Sequence, residues 1–297
     1  MNPPVDPVLF KIGPVPIYWY GVLILAGVLV GTFYAVRRAE RQGIDPEHIW
    51  NGLTVCVILG IVGARIYHVF STPAGCTVAS GYACGWPWYR QHPWDAFKIW
   101  QGGLGIYGAV VGGALGVVLY ARRHALSAWD LLDLGAPGLA LGQAIGRWGN
   151  FINQELYGPP TGSDWFGVRI PFENRLIIHR NLPPDALFHP TFLYESLWCL
   201  MLFIVLAVVA RRWKDRLQPG DLFAGYLIGY PLGRFWITFF RPDAWMLGPL
   251  ATAQWVAILS VAVGVGYIVW RHRRAGSPPE VPGEPVIEEE TPETALE

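Results

Sequence analysis

The sequence predicts an all-α integral membrane protein of seven transmembrane helices, N-terminus outside and C-terminus cytoplasmic, with folded extracytoplasmic loops. Three observations carry this prediction. The 297 residues are 53% hydrophobic and 15% charged, with a mean hydropathy of +0.32, whereas soluble domains carry about 25% charged residues. Seven apolar stretches fall near 16–36, 50–70, 103–121, 129–147, 190–210, 221–240 and 249–270, and a hydrocarbon core needs roughly 20 helical residues to cross. Finally, the basic residues gather after alternate stretches. The short alternating segments of an outer-membrane barrel are not seen.

The N-terminal MNPPVDPVLFKIGPVPIYWYG lacks a basic region and a small-residue cleavage site, so it does not read as a cleaved signal peptide. Arg37, Arg38 and Arg41 follow the first stretch, and Arg122 and Arg123 the third. Arg211, Arg212, Lys214 and Arg216 follow the fifth, and Arg271, Arg273 and Arg274 the seventh. Seven spans put all four clusters on one side, which the positive-inside rule makes cytoplasmic. That agreement supports counting the third stretch, diluted by glycine, and the fourth, which Asp130 and Asp133 open. Gly108, Gly112 and Gly116, like Gly142 and Gly146, are four residues apart. Such spacing lets helix backbones approach closely in lipid.

Residues 71–102 and 148–189 then lie outside. Both mix aromatics, prolines and polar residues, so they are expected to fold against the outer face. Residues 1–270 form one domain. Residues 271–297 form a basic cytoplasmic flank and an acidic tail that, from Gly276, has seven glutamates, five prolines and no basic residue. Such a tail is expected to be disordered. Cys56 and Cys199 lie inside apolar runs, where thiols act as small hydrophobes. Cys76 and Cys84 share one outer connection, and a disulfide between them stays an open alternative that requires an oxidising compartment.

Three arginines interrupt the apolar runs: Arg65 in GARIYHVF, Arg147 in GRWGNFINQE and Arg234 in GYPLGRFWITFF. Each costs roughly 2.5–3.5 kcal/mol at a helix centre on insertion scales. The predicted orientation puts all three in the outer half of the bilayer. A single arginine there can snorkel to headgroups or pair with a buried carboxylate. Three at comparable depth, with Arg241 nearby, favour an anion pocket, and the guanidinium fork suits phosphate oxygens. The local phosphate is that of a lipid headgroup.

Arg147 and Asn150 share a helix face, and Gly149 offers a point for the chain to leave the helix. Asn150 and Asn153 supply neutral donors and acceptors, and Glu155 a carboxylate that takes a proton or orients an arginine. HPTFLYE opens the fifth span with His189, a base or a hydrogen-bond donor, and Glu195, a partner for one of the arginines. Tyr20, in YWYG, reads by default as part of an aromatic belt. Tyr107 sits in the glycine-rich entry to the third span. No metal-binding spacing, nucleotide loop or serine-nucleophile elbow occurs. No metal, cofactor or nucleic acid is therefore expected.

These blocks resemble the bacterial prolipoprotein diacylglyceryl transferase family. GRWGNFINQELYG is similar to its signature, and HPTFLYE, YWYG, GARIYHVF and GYPLGRFWITFFRPD resemble further blocks in the same order up to about residue 270. The resemblance implies transfer of the diacylglyceryl group of phosphatidylglycerol to the lipobox cysteine of a preprolipoprotein. A thioether forms and glycerol phosphate leaves. A monomer in the bacterial cytoplasmic (inner) membrane is expected, with the predicted orientation setting its site toward the outer leaflet. By resemblance, Arg147, Asn150, Glu155, Gly158, Arg234 and Tyr20 carry function. Arg147, Arg234, Asn150 and Gly158 then bind the lipid phosphate, with Arg65 joining or supporting them. Tyr107 stands where many members have a histidine considered for proton transfer, which makes it a further catalytic candidate through its hydroxyl, and Thr238 stands where many have glutamate. The base is then Glu155 or His189, with Glu155 favoured, and the counter-charge for Arg234 falls to Glu155 or Glu195. The rival class is an anionic-lipid transporter or flippase. Midplane polar groups and internal repeats would favour it, whereas here the polar groups crowd one half and no repeat is evident.

Overall fold

Most of each apolar stretch falls in a long helix of the computed structural model, which describes residues 1–4, 6–13, 15–71, 85–242 and 244–275. These are α1 (Trp19–Arg41), α2 (Glu47–Phe70), α4 (Ile106–Arg123), α5 (Ala128–Ile152), α6 (Thr191–Arg212), α7 (Asp221–Ile237) and α8 (Thr252–Ala275), with a short α3 (Gly85–Tyr89) after α2. Helices α1, α2, α6 and α8 are long and apolar enough to cross a membrane by length and composition. Their outward faces stay apolar, with Leu25, Ile58, Ile204 and Leu259 all exposed. The pair Cys76 and Cys84 and the acidic tail lie outside the described residues.

Several boundaries move for physical reasons. Residues 16–18 are not helical. They belong to a hairpin of β1 (Val8–Ile12) and β2 (Val15–Tyr18), with Gly13 at φ 60° next to its turn, a conformation glycine adopts freely. Helix α5 runs on to Ile152, so Arg147 sits more than a turn inside it and the connection expected from 148 begins at 153. Helix α7 ends at Ile237, and Thr238–Phe240 tighten into a 3-10 turn.

Glycine sets how close the helices come. Where α1 crosses α5, a Cβ on Gly31 would stand 2.5 Å from the Gly138 carbonyl oxygen, and one on Gly27 2.7 Å from that of Gly142. The Gly108, Gly112 and Gly116 stripe of α4 packs on Gly63, Leu59 and Cys56 of α2. Gly146, in contrast, has nothing within 4 Å of an added Cβ, so the pair used in α5 is Gly138 and Gly142. Helix α5 is central and touches α1, α4, α6 and α7, while α8 packs on α7. At its N-terminal end the Asp133 carboxylate accepts from the backbone N–H groups of Gly220 at 2.7 Å and Phe223 at 2.8 Å. This caps α7 with charge of the sign its N-terminus favours.

The connection from α5 to α6 is a small folded unit at the other end of the bundle. Strands β3 (Val168–Arg169) and β4 (Leu187–Phe188) pair over a core of Tyr157, Val168, Ile170 and Phe188. The buried Arg175 guanidinium donates to the carbonyls of Ile170, Leu182, Pro183 and Pro184 at 2.8–3.0 Å. The Met1 ammonium donates to the Gly167 carbonyl at 2.7 Å, which ties the hairpin side of the chain to this unit. Between α7 and α8, β5 (Met246–Leu247) and β6 (Leu250–Ala251) form a third short pair.

Candidate active site

The C-terminal end of α5, the start of α6 and the end of α7 converge beside this folded unit. Arg147 and Arg234 both turn onto one carboxylate, that of Glu195. Arg147 Nε lies 2.6 Å from Glu195 Oε2, and Arg234 donates to Oε1. The Arg147 contact is an ion pair whose N–H is off the hydrogen-bond line, since Oε2 accepts no aligned bond. The Glu195 side chain is 7% exposed and those of the arginines about 20%. Arg147 also donates to the Tyr230 hydroxyl at 3.2 Å. A narrow gap of about 10 Å³, room for about one water, is lined here by Glu195, Trp198, Tyr230, Gly233 and Arg234.

Local sequence explains the convergence. Arg147 follows Gln143, and Arg234 follows Tyr230, by four residues, so each pair shares a helix face. Thr238 does not balance Arg234. Its hydroxyl donates to the Arg234 carbonyl at 2.5 Å, one turn back in the chain, and the facing carboxylate is Glu195. Glu195 was expected to meet one arginine and meets both. Tyr230 carries no sequence signal beyond its four-residue spacing from Arg234, and its partner is Arg147, far away in the chain.

Beyond Arg147 the chain holds Glu155 in a tight loop. Asn150 Nδ2 donates to Glu155 Oε1 at 2.8 Å and Asn153 Nδ2 at 3.4 Å. Gln154 and Leu156, on either side, adopt left-handed backbone with φ of 57° and 58°, costing roughly 1–3 kcal/mol each for residues with a Cβ. The buried Gln154 side chain holds the turn, donating to the Pro4 carbonyl at 2.9 Å and accepting from Asn174 at 2.8 Å. The chain therefore turns here and not at Gly149. Gly149 lies inside α5, where the Tyr20 ring occupies the space a Cβ would need.

Gly158 and His189 meet through the backbone. The Gly158 N–H donates to the His189 carbonyl at 2.9 Å, and a Cβ on Gly158 would come within 2.7 Å of His189 Cβ and 2.9 Å of the Phe240 carbonyl. Close approach explains this glycine, and its N–H is already used. Thr191 donates to the Leu156 carbonyl, which joins the Glu155 loop to the start of α6. His189 Nδ1 lies 2.9 Å from the Tyr194 hydroxyl.

Two expected residues stand apart. Arg65 uses all five donors of its guanidinium: Nε on Ala96, Nη1 on Gly102 and Gly103, and Nη2 on Asp95 and Lys98, all backbone carbonyls. No N–H is left for a phosphate, and the geometry gives Arg65 the task of clasping the 95–103 connection. In that connection Asp95 is held below the usual carboxylate range by hydrogen bonds from Lys98 and Trp88. Tyr107, at the start of α4, packs against Tyr67 with ring centres 5.6 Å apart. Among the described residues, no hydrogen bond or ion pair joins it to the arginine cluster. The described residues also contain no group of three or more His, Cys, Asp or Glu arranged to hold a metal.

A family model described as prolipoprotein diacylglyceryl transferase matches residues 7–270. The phosphatidylglycerol–prolipoprotein diacylglyceryl transferase of Synechocystis is 43% identical over 268 residues, covering 89% of this chain and 88% of that protein. Its counterpart from Nostoc is 42% identical, covering 93% and 92%. The protein of that name from Bacillus cereus is 39% identical over 272 residues, covering 91% and 94%.

Proposed function

The chain belongs to the prolipoprotein diacylglyceryl transferase family, and from that premise we propose that it carries out the family's reaction at the Arg147–Glu195–Arg234 cluster. It transfers the diacylglyceryl group of phosphatidylglycerol to the lipobox cysteine thiol of a preprolipoprotein. It does so as a seven-span monomer of the bacterial cytoplasmic membrane, N-terminus outside, with the cluster toward the outer leaflet. The basic ends of α1, α4, α6 and α8 support that orientation. The observation that carries the site is the convergence of two guanidiniums on one carboxylate in an apolar bundle.

Charge balance suits the substrate. Arg147, Glu195 and Arg234 leave one net positive charge among them, and the charge of Arg241 also acts at Arg234, so the pocket suits an anionic phosphodiester. Glu195 holds two like charges together that would otherwise repel. The N–H groups it does not engage grip the phosphate oxygens. They stand ready for the second negative charge that the phosphate gains as it leaves, and such preorganised donors usually supply the largest part of rate enhancement.

The reacting bonds follow. The lipobox thiol, with a free pKa of about 8.5, gives its proton to a base and attacks the glyceryl carbon that bears the phosphate ester. The C–S bond forms as the C–O bond breaks, and the electron pair leaves with glycerol phosphate. The proton then passes from the base to product or solvent. Glu155 suits the role of base. It is exposed and anchored by Asn150, whereas Glu195 is engaged between the guanidiniums. His189 is the second candidate. Tyr20, packed on α5 at Gly149, positions the helix turn between Arg147 and Asn150.

Turnover of purified enzyme with phosphatidylglycerol and a lipobox peptide across pH tests the base. Glu155→Gln is expected to lose about 100-fold or more, and Tyr107→Phe to stay near wild type. Wild-type turnover in Glu155→Gln would remove Glu155 from the mechanism.

A further inference from the structure

At the end of the bundle away from the arginine–glutamate cluster, a second cleft opens between the C-terminal ends of α1 and α6. Both helices lie against α5, and they meet each other where Tyr34 and Phe203 touch edge to face, with ring centres 5.0 Å apart. The cavity is about 290 Å³, and its lining includes Arg37, Arg38, Arg41 and Arg211 over Tyr34 and Phe203, with no carboxylate. Arg38 is buried and fixed to the α5 backbone through the Asp133 carbonyl at 2.6 Å. Arg37, Arg41 and Arg211 are exposed and have no hydrogen-bond or ion-pair partner among the described residues.

The positive-inside bias accounts for basic residues at these helix ends. It does not account for four guanidiniums that converge from two helices on one aromatic-floored cavity. An apolar strip also continues from the cavity toward the middle of the bundle. Val30, four residues before Tyr34, is 44% exposed, and Leu200, three before Phe203, is 40% exposed. A ligand that fills both parts has an anionic head and apolar tails.

We infer that this cleft is a second lipid site, which holds an anionic phospholipid of the leaflet opposite the active site. Its phosphate sits among Arg37, Arg38, Arg41 and Arg211, and its acyl chains follow α1 and α6. Juxtamembrane basic groups attract such headgroups, and guanidinium forks bind their oxygens in pairs. Inorganic phosphate and the acidic tail match the charge alone, whereas the lipid also matches the apolar strip.

Native mass spectrometry of the full-length protein, titrated with dioleoyl phosphatidic acid or dioleoyl phosphatidylcholine, tests this. The wild type is expected to retain one phosphatidic acid more than Arg37→Gln/Arg41→Gln/Arg211→Gln, with roughly ten-fold or greater weakening in the variant. The corresponding triple lysine variant should retain most of the binding, and phosphatidylcholine should not distinguish the proteins. Turnover and melting temperature of the glutamine variant, altered only at exposed positions, should match wild type and so report a folded enzyme. Equal retention of phosphatidic acid by wild type and glutamine variant overturns the proposal. So does displacement of the lipid by equimolar inorganic phosphate, and so does several-fold tighter lipid binding in a chain ending at Ala275, which would make the acidic tail the occupant.

Discussion

Replacing Glu195 by glutamine removes the charge that holds Arg147 and Arg234 together and leaves the shape nearly unchanged. Breaking a buried ion pair from one side costs about 3–5 kcal/mol. The glutamine oxygen still accepts one bond, and each arginine side chain keeps about a fifth of its exposure, so the low end, about 3 kcal/mol, applies. At roughly 2–4 °C per kcal/mol for a large domain, the melting temperature should fall by about 6–12 °C. Thermal unfolding in detergent, with and without phosphatidylglycerol, reads the effect. Because the lipid phosphate supplies the missing anion, saturating lipid should stabilise Glu195→Gln more than wild type. A fall of less than about 2 °C, or equal lipid stabilisation of both proteins, would refute the reasoning that Glu195 is the counter-ion at a phosphate site.

Three further outcomes follow from the packing. Arg65→Leu strands five backbone carbonyls and should cost about 3 kcal/mol or more in chemical denaturation, while turnover per folded molecule stays near wild type. Gly31→Ala drives a methyl into the Gly138 carbonyl and should cost about 1–3 kcal/mol; Gly146→Ala, with open space around it, should be neutral or mildly stabilising in the same melts. His179 has its pKa pushed down by burial and then by the Arg175 guanidinium. The folded unit thus favours the neutral ring. Its contribution to stability is complete above the unfolded pKa of about 6.5 and is lost as pH falls through the lower folded value. Hydrogen-exchange protection factors in residues 157–188, which allow for the slower intrinsic exchange at lower pH, should therefore fall between pH 7 and pH 5, and His179→Gln should flatten that dependence.

The sequence was most legible where one-dimensional pattern dictates structure. Apolar length located the helices, and the Gly108, Gly112 and Gly116 spacing located a close crossing, because both are periodic features of a single helix. Arg147 and Arg234 stood out because charge in an apolar run is costly wherever the partner is. The partners themselves were less legible. Glu195 joins residues 48 positions before it and 39 after it in the chain, and only tertiary packing decides that both arginines reach it. Arg65 looked equivalent to them, and its carbonyl partners at 95–103 carry no side-chain signature. The left-handed turns at Gln154 and Leu156 fall on residues with no preference for that conformation, so Gly149 drew the expectation instead. The N-terminal hairpin was hidden because its residues continue the apolar run of α1.

In the proposed reaction Arg147 and Arg234 clamp the phosphate of a lipid whose diacylglyceryl group moves to a thiol. Mass spectrometry of a lipobox peptide, incubated with purified enzyme and phosphatidylglycerol, tests it most directly. A thioether-linked diacylglyceryl cysteine is expected, with one glycerol phosphate released per peptide, and loss of about 100-fold or more in Arg147→Ala and in Arg234→Ala. Near-normal thioether formation in both variants would contradict the clamp. Lipid movement across the bilayer with no thioether would contradict the transferase reading and favour a flippase.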